Sequence, residues 1–130
     1  MADLTVYIVT PERTVYSGPA SDVSLPAWEG EMQVMPEHEL LLALLRGGIV
    51  TLATPQGPQR WVVGRGFAEV TAVQVTILAD QCEEPEGVDK AAAQAAMQDC
   101  ERRLGECRDD TPEWDAISEE HEIAVARLSA

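Results

Sequence analysis

The sequence predicts an α+β chain: an N-terminal all-β sandwich of about ten strands, followed by a C-terminal antiparallel hairpin of two helices. Three observations predict it. Eight of the nine glycines and seven of the eight prolines lie within residues 1–87, leaving only Gly105 and Pro112 beyond. Between those turn-formers run short β-branched and apolar segments with no helical period. Residues 88–130 are instead rich in Ala, Glu, Asp and Arg, with apolar side chains recurring every three or four positions. The break falls in Glu83-Glu84-Pro85-Glu86-Gly87, which divides the chain into a sandwich over 1–84, a linker over 85–87 and a hairpin over 88–130.

In the first part, Leu4 to Thr10 is β-branched, partly alternating and closed by Pro11. Further strands are expected at Arg13–Tyr16, Ser21–Leu25, Glu31–Met35, Ile49–Ala53, Arg60–Val63, Gly66–Val70 and Val73–Leu78. Pro55-Gln56-Gly57-Pro58 separates two apolar runs and reads as the turn of a hairpin. Leu40–Leu45 is a continuous apolar run that periodicity alone leaves open between a buried strand and an apolar contact loop.

In the second part, Ala93, Met97, Cys100, Leu104 and Cys107 form one apolar seam, and Trp114, Ile117, His121, Ala124 and Leu128 form another. Asp89 is placed to cap the first helix. Thr111-Pro112-Glu113 opens the second with a capping hydroxyl, a proline in the first turn and an acid at the positive end of the dipole. Helices of about 20 and 17 residues joined by a short turn make an αα-hairpin. The seams are thin and Ala-rich, so the hairpin is expected to dock on something or to move.

Composition excludes several classes of function. The chain has 130 residues, 9 Lys plus Arg against 23 Asp plus Glu, and a net charge of −14. A field of that sign repels phosphate backbones and anionic lipid, so no nucleic-acid partner and no direct membrane binding are expected; a basic partner surface is favoured. The longest apolar run falls far short of the roughly 18 to 20 residues of a membrane span. Met1-Ala2-Asp3-Leu4 carries neither a basic region nor an apolar signal core, which predicts a chain that is not exported. Cys82, Cys100 and Cys107 are odd in number and lack a CxxC pair, arguing against a disulfide framework or a zinc knuckle. Cys100 and Cys107 would lie about 10 Å apart along a helix axis, beyond disulfide reach.

Little in the sequence points to catalysis. His38 lies between Glu37 and Glu39 with no accompanying nucleophile, and His121 reads as a packed seam residue. Gly64-Arg65-Gly66 lacks the strand-to-helix context of a dinucleotide fingerprint, and the acidic runs lack calcium-loop spacing. No cofactor and no metal are expected.

At Gly30-Glu31-Met32-Gln33-Val34-Met35-Pro36-Glu37-His38-Glu39-Leu40-Leu41-Leu42 the sequence resembles the epsilon subunits of F-type ATP synthases, whose pattern there is Gly-Glu, apolar residues, Pro-Gly-His and Leu-Leu. The resemblance continues in order through Gly47-Gly48, Gly64-Arg65-Gly66-Phe67-Ala68-Glu69-Val70, Val75 to Asp80, and Val88-Asp89. Val9 to Arg13 and Tyr16-Ser17-Gly18 look like the family's first hairpin. The match covers nearly the whole chain, and the collinearity of the motifs carries it.

The resemblance implies a non-catalytic central-stalk role: binding the gamma subunit, seating on the c ring and coupling proton translocation to ATP synthesis. It implies a place at the cytoplasmic face of the bacterial plasma membrane, peripheral and through the complex only, rather than the chloroplast thylakoid. Position by position, Glu31, Met35, Pro36, Glu37 and His38 match the region that faces the c ring. Leu40, Leu41, Leu42 and Leu45 are candidates for the gamma-facing surface, with core packing as the alternative. The hairpin implies transient contact with the catalytic beta and alpha subunits, for which Arg102, Arg103 and Arg108 are the available basic residues.

Three departures from the family pattern stand out. Glu37 replaces glycine in Pro-Gly-His, where a positive φ would favour glycine. The nucleotide-sensing motif survives as Val88, Asp89, Lys90, Ala91, Ala92, Ala93, with Ala92 in place of arginine; on the second helix only Arg127 fits, while Ile123 is apolar. Residues 85–130 hold five basic and twelve acidic side chains, a net of −7, where inhibitory hairpins of the family are basic. Weak nucleotide binding and weak restraint of ATP hydrolysis follow as expectations. The competing readings are a free-standing acidic β-sandwich binding module with a regulatory hairpin, and a metal-dependent activity at His38 that lacks ligands.

Overall fold

The structure, a computed structural model, describes residues 3–130; Met1 and Ala2, part of the reading of the N-terminus, lie outside the described residues. Ten strands precede two helices: β1 Leu4–Val9, β2 Thr14–Ala20, β3 Val23–Ala27, β4 Gly30–Val34, β5 Leu41–Leu45, β6 Gly48–Thr54, β7 Gly57–Val63, β8 Gly66–Val70, β9 Gln74–Ala79 and β10 Cys82–Glu83. A 3-10 turn at Pro85–Gly87 then leads to α1 Lys90–Glu106 and α2 Pro112–Ser129.

The strands follow one hydrogen-bonded path, β10-β7-β6-β3-β5-β8-β9-β1-β2, with β4 paired to β3. Strand β3 turns the corner. One edge pairs with β4 along its length, while the other meets β6 at Val23 and Ser24 and β5 at Ala27. Only β1 and β9 run parallel among the described pairs; all others are antiparallel.

Period-two alternation sets what is inside. Leu4, Val6 and Ile8 of β1, Val75 and Ile77 of β9, Val50 and Leu52 of β6, and Ala68 and Val70 of β8 are buried together in one core. Strand β7 breaks the alternation, because Trp61, Val62 and Val63 are consecutively buried. Trp61 and Val63 belong to the sandwich core, whereas Val62 packs outward with Ile123 and Ala126 of α2. A strand covered on both faces reads as a continuous apolar run.

Strand β2 runs four residues past its expected end, through Gly18 and Pro19. It lies at the edge of the path and, among the described residues, pairs only with β1, where a residue without an N–H leaves no ladder bond unmade. The β6–β7 turn is tighter than the sequence reading: Thr54 pairs with Gly57 across Pro55-Gln56, and Gly57 has φ +107°.

Both helix starts form as expected. The Asp89 carboxylate accepts from the Ala92 N–H at 3.1 Å, and the Thr111 hydroxyl accepts from the Trp114 N–H at 3.1 Å. Ala93, Cys100, Ile117 and Ala124 are buried in the seam between the helices. A second buried stripe on α2, Glu122, Ile123 and Ala126, faces the sandwich.

The ambiguous run Leu40–Leu45 resolves into strand β5, antiparallel to β8. This corrects one expectation: Leu45, a candidate for the gamma-facing surface, is 0% exposed and belongs to the core, because alternation turns it inward beside Gly66. Leu45→Ala should therefore cost about 2–5 kcal/mol in chemical denaturation, whereas Leu42→Ala, on the outer face, should stay within about 0.5 kcal/mol.

Candidate functional site

The outer face of β5 and β8 is mostly apolar, with one carboxylate, Glu69, opposite Leu42. Leu42 is 63% and Leu44 64% exposed, and Leu40, Leu41 and Phe67 are exposed beside them. Register places Leu44 opposite Phe67, and Phe67 in turn opposite Leu78 of β9. A contiguous run of large apolar side chains in water marks an interaction surface. Leu44 and Phe67 were not singled out from the sequence. The signal existed: once Leu41–Leu45 is a strand, residues 42 and 44 share a face, but the partner across the ladder is a long-range fact.

Between β4 and β5 the chain makes the turn Met35-Pro36-Glu37-His38-Glu39. Glu37 has φ +68°, the left-handed conformation that glycine adopts most readily, and its N–H donates to the Ala72 carbonyl at 2.7 Å. That bond ties the turn to the β8–β9 turn. Together they line a cleft of about 420 Å3 that includes Met35, Pro36, Ala72 and Val73, with Asp22 and Glu37 supplying negative charge. Met35 and Val73 are exposed large apolar residues. The His38 ring lies 2.9 Å from the Glu39 carbonyl through Nδ1, a local contact. Glu31, at the start of β4, accepts from the Ser24 hydroxyl and lines a separate cleft with Gly47 and Glu122, away from this turn. The end formed by the Met35–Glu39 turn combines exposed apolar side chains with the carboxylates of Asp22 and Glu37.

The hairpin meets the sandwich through α2. Glu122 is buried, yet its carboxylate is fully occupied: Oε1 accepts from the Gly47 N–H at 2.8 Å and from Arg65 Nε at 3.2 Å, and Oε2 accepts from Arg65 Nη2 at 2.9 Å. Arg65 also donates to Asp115 at 3.0 Å and lies over the Trp28 ring at 4.9 Å. Those carboxylates push the guanidinium pKa further upward, against the opposing effect of burial. Burial, reinforced by Asp80, raises the carboxyl pKa of Glu119 above its ordinary value.

The basic residues of the hairpin are engaged by the chain itself. Arg102 pairs with Asp99 and Glu106, Arg103 with Asp99 and Glu120, and Arg108 with Asp110. Arg127 clasps both carboxylate oxygens of Glu83. Lys90 donates to the carbonyls of Arg127 and Leu128, each at 3.0 Å, and to that of Ala130. Ala92 offers only its backbone N–H, to the Asp89 cap. Ile123, one turn before Arg127, is buried against Val62. Around the start of α1, the cationic side chains therefore already hold protein acceptors.

Among the described residues, no three metal-ligating side chains converge. Neither Cys82 nor Cys100 is activated: burial pushes Cys82 up to about 11 and raises Cys100, so both stay protonated near neutrality. Among the described residues, His121 Nε2 is buried without a hydrogen-bond partner, 3.7 Å from Glu101. No described helix is long and apolar enough to cross a membrane.

A family model described as ATP synthase, Delta/Epsilon chain, beta-sandwich domain matches residues 3–85. The ATP synthase epsilon chain of Moorella thermoacetica is 39% identical over 133 residues, covering 100% of this chain and 97% of its own. The chain belongs to the ATP synthase epsilon chain family. Another epsilon chain, from Rhodococcus opacus, is 45% identical over 100 residues, 75% of this chain and 81% of its own. A chain of the Euglena gracilis mitochondrial ATP synthase, in a structure of OSCP, F1 and c-ring, matches with TM-score 0.83 over 99% of this chain and 81% of its own. At 19% identity that likeness concerns the fold, and it includes the helical hairpin as well as the sandwich.

Within this epsilon-family fold, Glu37 occupies the glycine position of Pro-Gly-His in the conformation glycine prefers. Glu37→Gly should raise stability by about 1 kcal/mol, read as an increased denaturation midpoint. A lowered midpoint would show that the Glu37 side chain contributes more than its backbone conformation costs.

Proposed function

We propose that the chain is a non-catalytic central-stalk subunit of an F-type ATP synthase, joining the gamma subunit to the c ring and turning with both. The observation that carries this reading is the pairing of two exposed surfaces on one rigid body. The apolar face of Leu42, Leu44 and Phe67 suits a large, apolar protein contact, and the turn at Met35–His38 with Val73 forms a separate docking end. The names of its relatives and the assembly holding its structural neighbour support the same role.

The gamma subunit is assigned to the Leu40, Leu42, Leu44 and Phe67 surface; Leu41, at the start of β5, lies on the face that Leu45 turns to the core. The c ring is assigned to Glu31, Met35, Pro36, Glu37 and His38, where carboxylates would steer docking onto basic polar loops more than strengthen it. Membrane association is peripheral and comes through the complex, at the cytoplasmic face of a bacterial plasma membrane. The sandwich over 1–84 is the adapter, 85–87 the linker and 88–130 the regulatory hairpin.

That hairpin is a weak brake. Its approach to the catalytic beta and alpha subunits would rely on Arg102, Arg103 and Arg108, each neutralised by acids of the same hairpin. Nucleotide binding is weak for a related reason: the motif lacks an arginine at Ala92, and Arg127 is held by Glu83.

The test is co-purification with gamma and c subunits. Leu42→Asp or Leu44→Asp should weaken gamma binding by about tenfold or more, while Glu31→Lys should reduce retention of the c ring alone. Unchanged gamma binding by both leucine variants would sink the assignment. Calorimetry should show no micromolar ATP binding by the isolated chain, and deleting residues 88–130 should leave the ATPase rate of the assembled complex nearly unchanged.

A further inference from the structure

The apolar contact between hairpin and sandwich is small. Val62, Ile123 and Ala126 are buried there, with Ile49, Val88 and Ala130 partly covered. Directly beside it, at the residue preceding Ile123 on α2, is an ion cluster centred on Glu122. The Glu122 side chain is only 6% exposed and that of Arg65 17%. The two residues are 57 positions apart in the chain, and the bidentate contact bridges α2 to the short β7–β8 connection. Arg46 Nη2 approaches the same carboxylate at 3.6 Å, and both guanidiniums lie over the Trp28 ring.

A steric feature accompanies the charges. A Cβ on Gly47 would fall 2.8 Å from the Glu122 Cβ and 3.4 Å from Ile123 Cγ1. Only a residue without a side chain lets the helix come close enough for the Gly47 N–H to reach Glu122 at 2.8 Å. Five residues further along α2, Arg127 grips Glu83, the last residue of β10.

We infer that Glu122 is a conformational latch. Its buried carboxylate, held by Arg65 and by the Gly47 N–H, clamps α2 onto the sandwich and sets the balance between a docked and a released hairpin. A carboxylate this buried is tolerated only while its partners are in place, so docking and pairing are one event. Undocking returns Glu122 and Arg65 to water together. The latch is shielded from solvent and screened by salt less than the surface pairs within the hairpin. The clamp needs no external ligand, because every strong acceptor and donor in it belongs to the chain.

The inference concerns the isolated chain and does not depend on the rotor assignment. Its test is amide hydrogen exchange by NMR on the full chain, read at residue 47, whose N–H is bonded to Glu122 only when α2 is docked. In Glu122→Gln the shape is kept and the charge lost; exchange at residue 47 should quicken by about tenfold or more, with amides of β1 and β9 unchanged. Gly47→Ala, which adds no charge, should do the same by holding α2 away. Wild-type exchange at residue 47 in either folded variant overturns the latch. If Glu122→Gln loses protection throughout β1 and β9, Gly47→Ala alone decides.

Discussion

Burial on both faces of β7 is the constraint on which the architecture depends. Trp61 and Val63 point into the sandwich and Val62 points out of it, so this strand is satisfied only when something apolar covers its outer side. Helix α2 supplies Ile123 and Ala126 for that purpose. The cover is too small to hold two helices by hydrophobic burial alone, since one buried aliphatic side chain contributes about 1.5–3 kcal/mol. The docked position therefore also draws on the Arg65–Glu122 pair and on the bare backbone at Gly47. Packing selects the face of α2, and the ion pair fixes where along the sandwich it lies.

Charge is distributed with a similar division of labour. The net of −14 is not spread evenly. On the hairpin, arginines are consumed by neighbouring acids, so that the helices carry solvated pairs rather than a basic face. At the opposite end, Glu37 and Asp22 border an apolar cleft. The outer face of β5 and β8 shows leucine and phenylalanine to water. An apolar surface, an acidic-apolar end and a hairpin whose arginines are all paired with acids suit a part joined firmly to two neighbours at one domain and held by its own contacts at the other. Belonging to the epsilon chain family fits that economy of surfaces.

Much of this was legible in the residues. Turn-formers at short intervals and β-branched runs located eight of the strands, and capping chemistry at Asp89 and Thr111 located both helix starts. Local rules sufficed there because the signals lie within a few positions of what they determine. They failed at Pro19, whose strand survives because β2 is an edge, and at Leu40–Leu45, where an unbroken apolar run hides which residues face in. Leu45 went to the core and Leu44 to the surface for one reason: the phase of alternation is set by pairing with β8. Arg65 drew notice only as part of a glycine motif, since its partner is far away in sequence.

The sequence by itself determined the order of elements, the helix caps, the position of the change from sheet to helix, and the acidic character of the whole. Those follow from propensities and charges that act over a turn or a single strand. Only the tertiary structure decided which leucines are exposed, that α2 rather than α1 carries a second buried stripe, and that Glu122 reaches Gly47 across 75 residues and Arg65 across 57. Such contacts depend on how closely two folded surfaces approach, and a linear pattern of residue types contains no distance.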